Sequence, residues 1–328
     1  MEWHIKAKLY RAITHPRAAA GWFYRYGLEV SRYYVKWLLE LTLFRLWHLV
    51  IIAVCGKPEI TIVLIGRSDL YHGDLRSRIE ATLSWNLRYI DGEVIYVEWN
   101  RLPEQRSDAG WLVKRFPNLR VYVVPPEIHD SLSTNPDIPV MEYFAKNVGI
   151  RRARTPWVCV MNPDVVLGPE ITNRLHRLQK EYLYGTNRTE FKWGGRRLSL
   201  RTLANRKLHR LTYIMNKEHN YIGDFLLAHR DAWYKARGYD ESLTGRRSGC
   251  DRRGLAQLYH LGVKPRYIGS YFHLDHPESI VHGVKPHHGE SFDIYGNLPY
   301  QNGPQWGLAD TQEIQVQERV WLLKKTEF

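Results

Sequence analysis

Apolar residues in this chain gather into short continuous runs separated by polar, turn-forming stretches, with no sustained heptad or alternating pattern. ITIVLIG, residues 60–66, is an unbroken β-branched run between Gly56, Lys57 and Pro58 on one side and Arg67, Ser68 and Asp69 on the other, as expected of a buried parallel strand. A helical stretch ending near Asn86 follows, then strand-like runs EVIYVEW at 93–99 and LRVYVVP at 119–125, the spacing of a doubly wound sheet. A helix over 141–154 leads into an apolar strand, Trp157 to Met161, that stops at Asn162, Pro163 and Asp164. Glu98 and Asp164 thereby fall at carboxyl ends of strands, where open α/β sheets place ligands and metals. Each also has a plainer reading, Glu98 as an edge carboxylate and Asn-Pro-Asp as a turn.

Beyond Pro169 the pattern turns helical and basic, then becomes ambiguous from Gly185 to Asn205, where a hairpin around Gly194 and Gly195 fits. A short apolar segment follows Gly223 and Asp224, and the next helix ends at Gly238. Asp251 opens another helix behind a Gly- and Arg-rich loop. A helix amino end stabilises a carboxylate, so Asp251 suits both an N-cap and a general base. Asp224 is the rival base or a sugar-hydroxyl contact. His273 and His276 lie near the end of the run 267–277, readable as metal ligands or as polar loop residues.

Charge narrows the partners. Lys and Arg number 47 against 34 Asp and Glu, a net +13, which favours phosphates, nucleic acid or an anionic membrane. The three cysteines are odd in number and widely spaced, which fits a reducing compartment without a disulfide framework or a zinc-type pair. Residues 1–36 mix Lys and Arg with Trp, Tyr and Phe, a composition suited to a lipid headgroup region. Residues 37–55 are the most apolar stretch, but Glu40, Arg45 and His48 interrupt it. A mid-helix charge costs about 2.5–3.5 kcal/mol on insertion scales, so a helix lying in the interface is expected over a span. Packing on the following domain is the alternative. A cleavable signal peptide does not fit, because the apolar run starts too far from the amino end.

Several blocks in fixed order resemble the motifs of GT-A glycosyltransferases close to family 2. They are IGRSD at 65–69, AKNVGIRRA from Ala145 to Ala153, Asn162-Pro163-Asp164 in place of a DxD, Gly223 to Phe225 with Arg230 to Tyr239, Asp251, and His273 with His276. The resemblance covers residues 58–277 and implies an α/β GT-A fold, Rossmann-like, with a mainly parallel central sheet flanked by helices. An N-terminal membrane-associating helical segment, 1–56, would precede a catalytic domain, 57–277, and a tail or lid, 278–328. The implied activity is transfer of a sugar from a UDP- or GDP-sugar to a glycan or lipid-linked acceptor, with inversion, assisted by Mn²⁺ or Mg²⁺. By the same resemblance Asp251 and Asp224 are catalytic, and Asp164, His273 and His276 hold the metal. Arg67, Asp69, Glu98, Asn147, Arg152 and Asn162 contact the donor. Asparagine at 162 leaves one carboxylate in the motif, and an imidazole ligand would tilt the site toward manganese.

The expected partners are a nucleotide-sugar, a saccharide acceptor and an anionic membrane, not nucleic acid. A sugar-nucleotide nucleotidyltransferase would need a Gly-rich loop after the first strand, where only Gly66 stands. A non-catalytic binder of membrane or nucleic acid rests on charge alone. The cytoplasmic membrane face is the expected location. Asn187-Arg188-Thr189 is a glycosylation sequon and keeps a Golgi-lumenal, type II arrangement as the alternative.

Overall fold

The structure is a computed structural model that describes residues 52–67, 74–101, 106–195, 223–245, 250–275 and 301–326, with scattered positions outside these runs. The chain divides into two compact units, Met1–Val54 and Cys55–Phe328. In the first unit the described positions are helical, and Tyr24, Leu28 and Val35 are exposed there. Most of the apolar run 37–55 lies outside the described residues. Among the described residues no helix is long and apolar enough to cross a membrane.

The second unit is built on one ten-stranded sheet, in the order β5-β8-β6-β7-β4-β1-β2-β3-β10-β9. Its strands are β1 (Ile60–Gly66), β2 (Val94–Trp99), β3 (Leu119–Val124), β4 (Trp157–Met161), β5 (Val165–Leu167), β6 (Tyr182–Phe191), β7 (Phe225–His229), β8 (Lys264–Leu274), β9 (Thr311–Gln317) and β10 (Val320–Lys325). The helices are α1 (Leu75–Asn86), α2 (Ala109–Arg115), α3 (Pro126–Leu132), α4 (Glu142–Arg151), α5 (Pro169–Thr172), α6 (Arg230–Ala236) and α7 (Cys250–His260). Every residue of β1, β2 and β3 is buried, which is why these strands read as continuous apolar runs. Successive side chains point to opposite faces. Ile62, Leu64, Val94 and Tyr96 pack under α1 and α2, while Val63, Ile65, Ile95 and Val97 pack against α4.

The strands β3, β2, β1 and β4 run parallel, as the resemblance implied. Beyond β4 the sheet is mixed: β7 is antiparallel to β4, β6 to β7 and β5 to β8, while β6 and β8 are parallel. The first part of the ambiguous stretch, Gly185 to Phe191, is the second half of β6, where Asn187, Arg188, Thr189 and Glu190 pair along β8, while residues 199–205 lie outside the described residues. Gly194 and Gly195, both at positive φ, turn the chain just beyond β6. Where a basic helix was expected after Pro169 there are only the single turn of α5 and a 3₁₀ turn, Leu175–Arg177. The tail contributes strands: β10 pairs in parallel with β3 and β9 forms the sheet edge. Trp321 stacks on Tyr122 with ring centroids 5.3 Å apart.

Two residues that the resemblance assigned to the donor serve the fold instead. Asn147 is fully buried on α4, donates to the Tyr239 carbonyl at 2.8 Å and to Glu241 at 2.8 Å, and accepts from the Tyr239 N–H at 2.7 Å. Gly238, at φ +71°, makes this approach possible, since a Cβ there would lie 2.1 Å from Asn147 Oδ1. Arg152 donates to Glu313 at 2.7 Å and to the Gly307 carbonyl at 2.7 Å. It precedes β4, whereas Asn162 follows it, so Arg152 anchors the C-terminal strands at the opposite end of the sheet from Asp164.

Glu241 completes this clamp by accepting from Asn147 and from the Gly307 N–H at 2.8 Å. Burial pushes its carboxyl up to about 7 despite those hydrogen bonds. A raised carboxyl pKa favours the folded state below the unfolded value, and that stability is lost as pH climbs through the folded value. Wild-type stability should therefore fall by roughly 3 kcal/mol between about pH 4.5 and pH 7 from this group alone. Glu241→Gln should flatten that part of a urea-denaturation profile; an unchanged slope would show that Glu241 ionises normally.

Candidate functional site

The strand β4 ends because Pro163 has no N–H to continue a ladder. The Asn162 N–H turns instead to the Asp224 carbonyl at 2.9 Å, and the Val165 N–H closes back on the Asn162 carbonyl at 3.2 Å. Asn-Pro-Asp is thus a turn, and it is also the middle of a polar cluster. One face of α1 holds it in place. Thr82 donates to the Pro163 carbonyl at 2.8 Å, and Asn86 exchanges hydrogen bonds with Val165 and Leu167, each at 2.9 Å, as a neighbouring strand would. Arg78 lies on the same helical face, because residues four apart share one.

Asp164, 4% exposed, lies between Arg78 Nη1 at 3.1 Å and His273 Nε2 at 3.5 Å. The antiparallel register of β5 and β8, with Val165 opposite His273, brings the histidine there. Behind the ring, His273 Nδ1 is 3.0 Å from Glu190 and 3.0 Å from Arg188 Nη2. Burial pushes the His273 pKa down, but the hydrogen bond and charge of Asp164 outweigh it, so the ring sits above the ordinary histidine value. Asp224 accepts from Asn162 Nδ2 at 2.9 Å, from Arg188 Nη1 at 3.0 Å and from the Tyr271 hydroxyl at 2.5 Å. Burial and the adjacent Asp224 carboxylate hold the Tyr271 hydroxyl well above its usual pKa, so it stays a donor.

Asp251 adjoins this cluster across Gly223. A Cβ at Gly223 would fall 1.8 Å from the Asp251 carboxyl carbon, so only glycine lets the two segments meet. Asp251 lies 3.4 Å from the ammonium of Lys146, which is buried on α4 among Tyr143, Tyr239 and Glu142. Burial opposes the lysine charge, but Asp251 and Glu142 outweigh it and raise its pKa. The Asp251 side chain remains 31% exposed and open to a ligand.

Four expected site residues, Asn162, Asp164, Asp224 and His273, share one hydrogen-bonded cluster, and Asp251 lies beside it. Arg67 follows β1 and donates to the Pro139 carbonyl at 3.3 Å. Glu98 is a correction: its carboxylate is fully buried and accepts from Ser107 Oγ at 2.6 Å and from the Asp108 N–H at 3.0 Å, fixing the entry to α2. Burial raises its pKa, and no face is left for a ribose or base. Asp69 and His276 lie outside the described residues.

Sequence reasoning missed Arg78, Lys146, Arg188, Glu190 and Tyr271. The recurrence of Arg78, Thr82 and Asn86 at helical spacing was a readable signal. Lys146 carried none within an otherwise buried helix, and Arg188 with Glu190 lay in a strand that the pattern left ambiguous.

Among the described residues no group of three or more His, Cys, Asp or Glu is disposed to hold a metal. Asp164 and His273 offer a partial shell, of the kind that Mg²⁺ or Mn²⁺ completes with water and substrate phosphate. Glu190 behind the His273 ring is the outer partner that a metal-bound histidine requires.

No family model matches the sequence, and no curated protein matches it. Solved structures do resemble it at low identity. TarS from S. aureus is 14% identical over 66% of this chain, with a TM-score of 0.43. The match spans 60% of that TarS chain. A mannosyltransferase from Pyrobaculum calidifontis, in complex with GDP-Man and Mn²⁺, is 12% identical over 71% of this chain and 66% of its own, with a TM-score of 0.41. A Drosophila β-1,4-galactosyltransferase 7, with manganese, UDP-Gal and xylobiose, is 9% identical over 81% of this chain and 92% of its own, also at 0.41.

Removing Arg78 would leave Asp164 buried with one cation fewer. Arg78→Leu should destabilise the domain by about 3–5 kcal/mol in urea titrations, and adding Asp164→Asn should restore part of the loss. A double variant no more stable than Arg78→Leu would show that the arginine acts through something other than this ion pair.

Proposed function

We propose that this chain is a glycosyltransferase that moves a sugar from a UDP- or GDP-sugar to a hydroxyl of a glycan or lipid-linked acceptor. The observation that carries this reading is the meeting of Asp164, Asp224 and Asp251 with His273, Arg188 and Arg78 at the carboxyl end of β4. Acids and bases in one crevice suit a reaction that must both accept a proton and neutralise a departing diphosphate.

Within this reading the carboxylates divide the work. Asp224 is saturated by Asn162, Arg188 and Tyr271, so it positions the site. Asp251 is the more open carboxylate and the general base, 3.4 Å from the Lys146 ammonium. It takes the acceptor hydroxyl proton as the oxygen bonds to the anomeric carbon. The bond from that carbon to the diphosphate oxygen breaks, and the diphosphate leaves with the electron pair. One in-line displacement inverts the anomeric configuration. Arg188 supplies positive charge to the leaving group. Mn²⁺ or Mg²⁺, held by Asp164 and His273, adds charge neutralisation there when bound.

Membrane association belongs to the same proposal. It is supported by the basic, aromatic composition of residues 1–36 and by Tyr24, Leu28 and Val35, exposed helical positions spaced to fall on one side of a helix. We place the domain on the cytoplasmic face.

The primary test is thermal melting of the full chain with UDP- and GDP-sugars, with and without Mn²⁺. A donor-dependent rise in Tm is expected, and its absence across the donor panel would refute the transferase reading. Asp251→Asn should lower kcat by about 10²–10⁴-fold while leaving that rise intact. Gly223→Ala should likewise depress kcat, because the added methyl displaces the Asp251 carboxylate. Full activity in Asp251→Asn would move the base to another residue.

A further inference from the structure

At the opposite end of the sheet from Asp164, a cavity of about 590 Å³ is lined by Arg174, Arg177, Gln179, Tyr184, Arg266, Tyr267 and Ile268. Its rim is cationic and its floor is aromatic and aliphatic: the three arginines are exposed, while Tyr184 and Ile268 are buried. Among the described residues no carboxylate is part of its lining. The guanidinium groups are held in place by neutral partners. Arg174 donates to the Ile268 carbonyl at 2.9 Å, Arg266 to Gln179 Oε1 at 2.8 Å, and Arg177 to His176 Nε2 at 3.0 Å. Arg266 also lies over the Tyr182 ring at 4.6 Å. Each guanidinium has five donors, so these contacts orient the groups and leave donors for an incoming anion.

The register defines which end of the domain this is. Ile60 pairs with Trp157, Trp157 with His229, Tyr184 with Leu227 and Tyr182 with Lys264, so the starts of β1, β4, β6 and β8 lie together. Exposed Lys57, Arg154, Lys180 and Lys264 lie at the same end, and the chain enters the domain there through Pro58. Glu59, Asp91, Glu93, Glu181 and Asp231 at this end are outside the described cavity lining, and Glu170 accepts from the Tyr267 hydroxyl at 3.5 Å. Arg266 and His273 share β8, and at about 3.3 Å per residue they are roughly 20 Å apart. The cavity is therefore separate from the proposed catalytic site.

We propose that this cavity binds the phosphate headgroup of an anionic phospholipid and seats the domain on the membrane with its catalytic end turned away. The inference rests on the reading that the protein works at a membrane face, and adds the residues that make the contact. The arginines take the phosphate oxygens through paired N–H bonds, and Tyr184, Tyr267 and Ile268 lie against the glycerol and upper acyl region.

The test is binding of the full chain to phosphatidylcholine vesicles containing phosphatidylglycerol, followed by co-sedimentation. Each basic residue at such a surface contributes about fivefold in affinity, so Arg177→Ala should weaken binding about fivefold. The variant with Arg174, Arg177 and Arg266 all changed to alanine should weaken it roughly a hundredfold. Lys192→Ala, one charge removed beyond the far end of β6, should change it less than twofold, and the donor-dependent Tm rise should persist in all three variants. Equal losses from Lys192→Ala and Arg177→Ala would overturn the proposal in favour of diffuse charge attraction. Wild-type and triple-alanine chains that bind vesicles equally would overturn it while leaving membrane association standing. No wild-type binding to vesicles would overturn both. Competition by millimolar glycerol phosphate that is lost in the triple variant, with vesicle binding unchanged, would reassign the cavity to a soluble phosphate ester.

Discussion

A carboxylate buried at the end of a strand needs a positive partner, and in this domain that requirement centres on Asp164. Arg78 meets it from α1 and His273 meets it from β8, so elements far apart in the chain are tied to one oxygen. The same helix holds the Pro163 carbonyl through Thr82 and imitates a strand through Asn86. The sheet's outermost piece on this side, β5, is thereby hydrogen-bonded by β8 on one flank and by a side chain on the other. Buried polar groups left without such partners would each cost on the order of 1–3 kcal/mol. The turn and the helix that supports it are therefore one structural unit.

The cluster around that turn is close to balanced in charge. Arg78, Arg188 and Lys146, with the His273 ring, face Asp164, Glu190, Asp224 and Asp251. Such a network is rigid, because moving one member exposes another. It holds its cations in fixed positions around the turn. Asp251 is set apart by Gly223 and by its greater exposure.

The two ends of the sheet carry different chemistry because strand direction sorts the residues. Carboxyl ends of the parallel strands gather the acids and the histidine. The other end gathers Arg174, Arg177 and Arg266, which bind a carbonyl and neutral side chains, and Arg152, which binds carbonyls and Glu313. The three cavity arginines there form a surface able to meet an anion of another kind.

What the chain determined locally was considerable. The runs 60–66, 94–99, 119–124 and 157–161 announce buried parallel strands, because burial on both faces demands continuous apolar sequence. The stop after β4 places Asp164 at a strand end without further information, Asp224 stands just before the apolar run of β7, and Gly238 marks the close of α6. Strands such as β6, β9 and β10 were not legible, since β6 and β9 are rich in polar residues and none of the three is buried along its whole length. Tertiary structure alone decided the fate of the polar residues. Asn147 and Glu98 look like ligand contacts in a linear motif, yet their hydrogen bonds are consumed by Tyr239, Glu241, Ser107 and Asp108. Arg188, within a glycosylation sequon, instead bridges Asp224 and His273 from the middle of a sheet. Backbone periodicity is a local property and survives in sequence; the partner of a charged side chain is set by strand register and helix packing, which join residues separated by most of the domain.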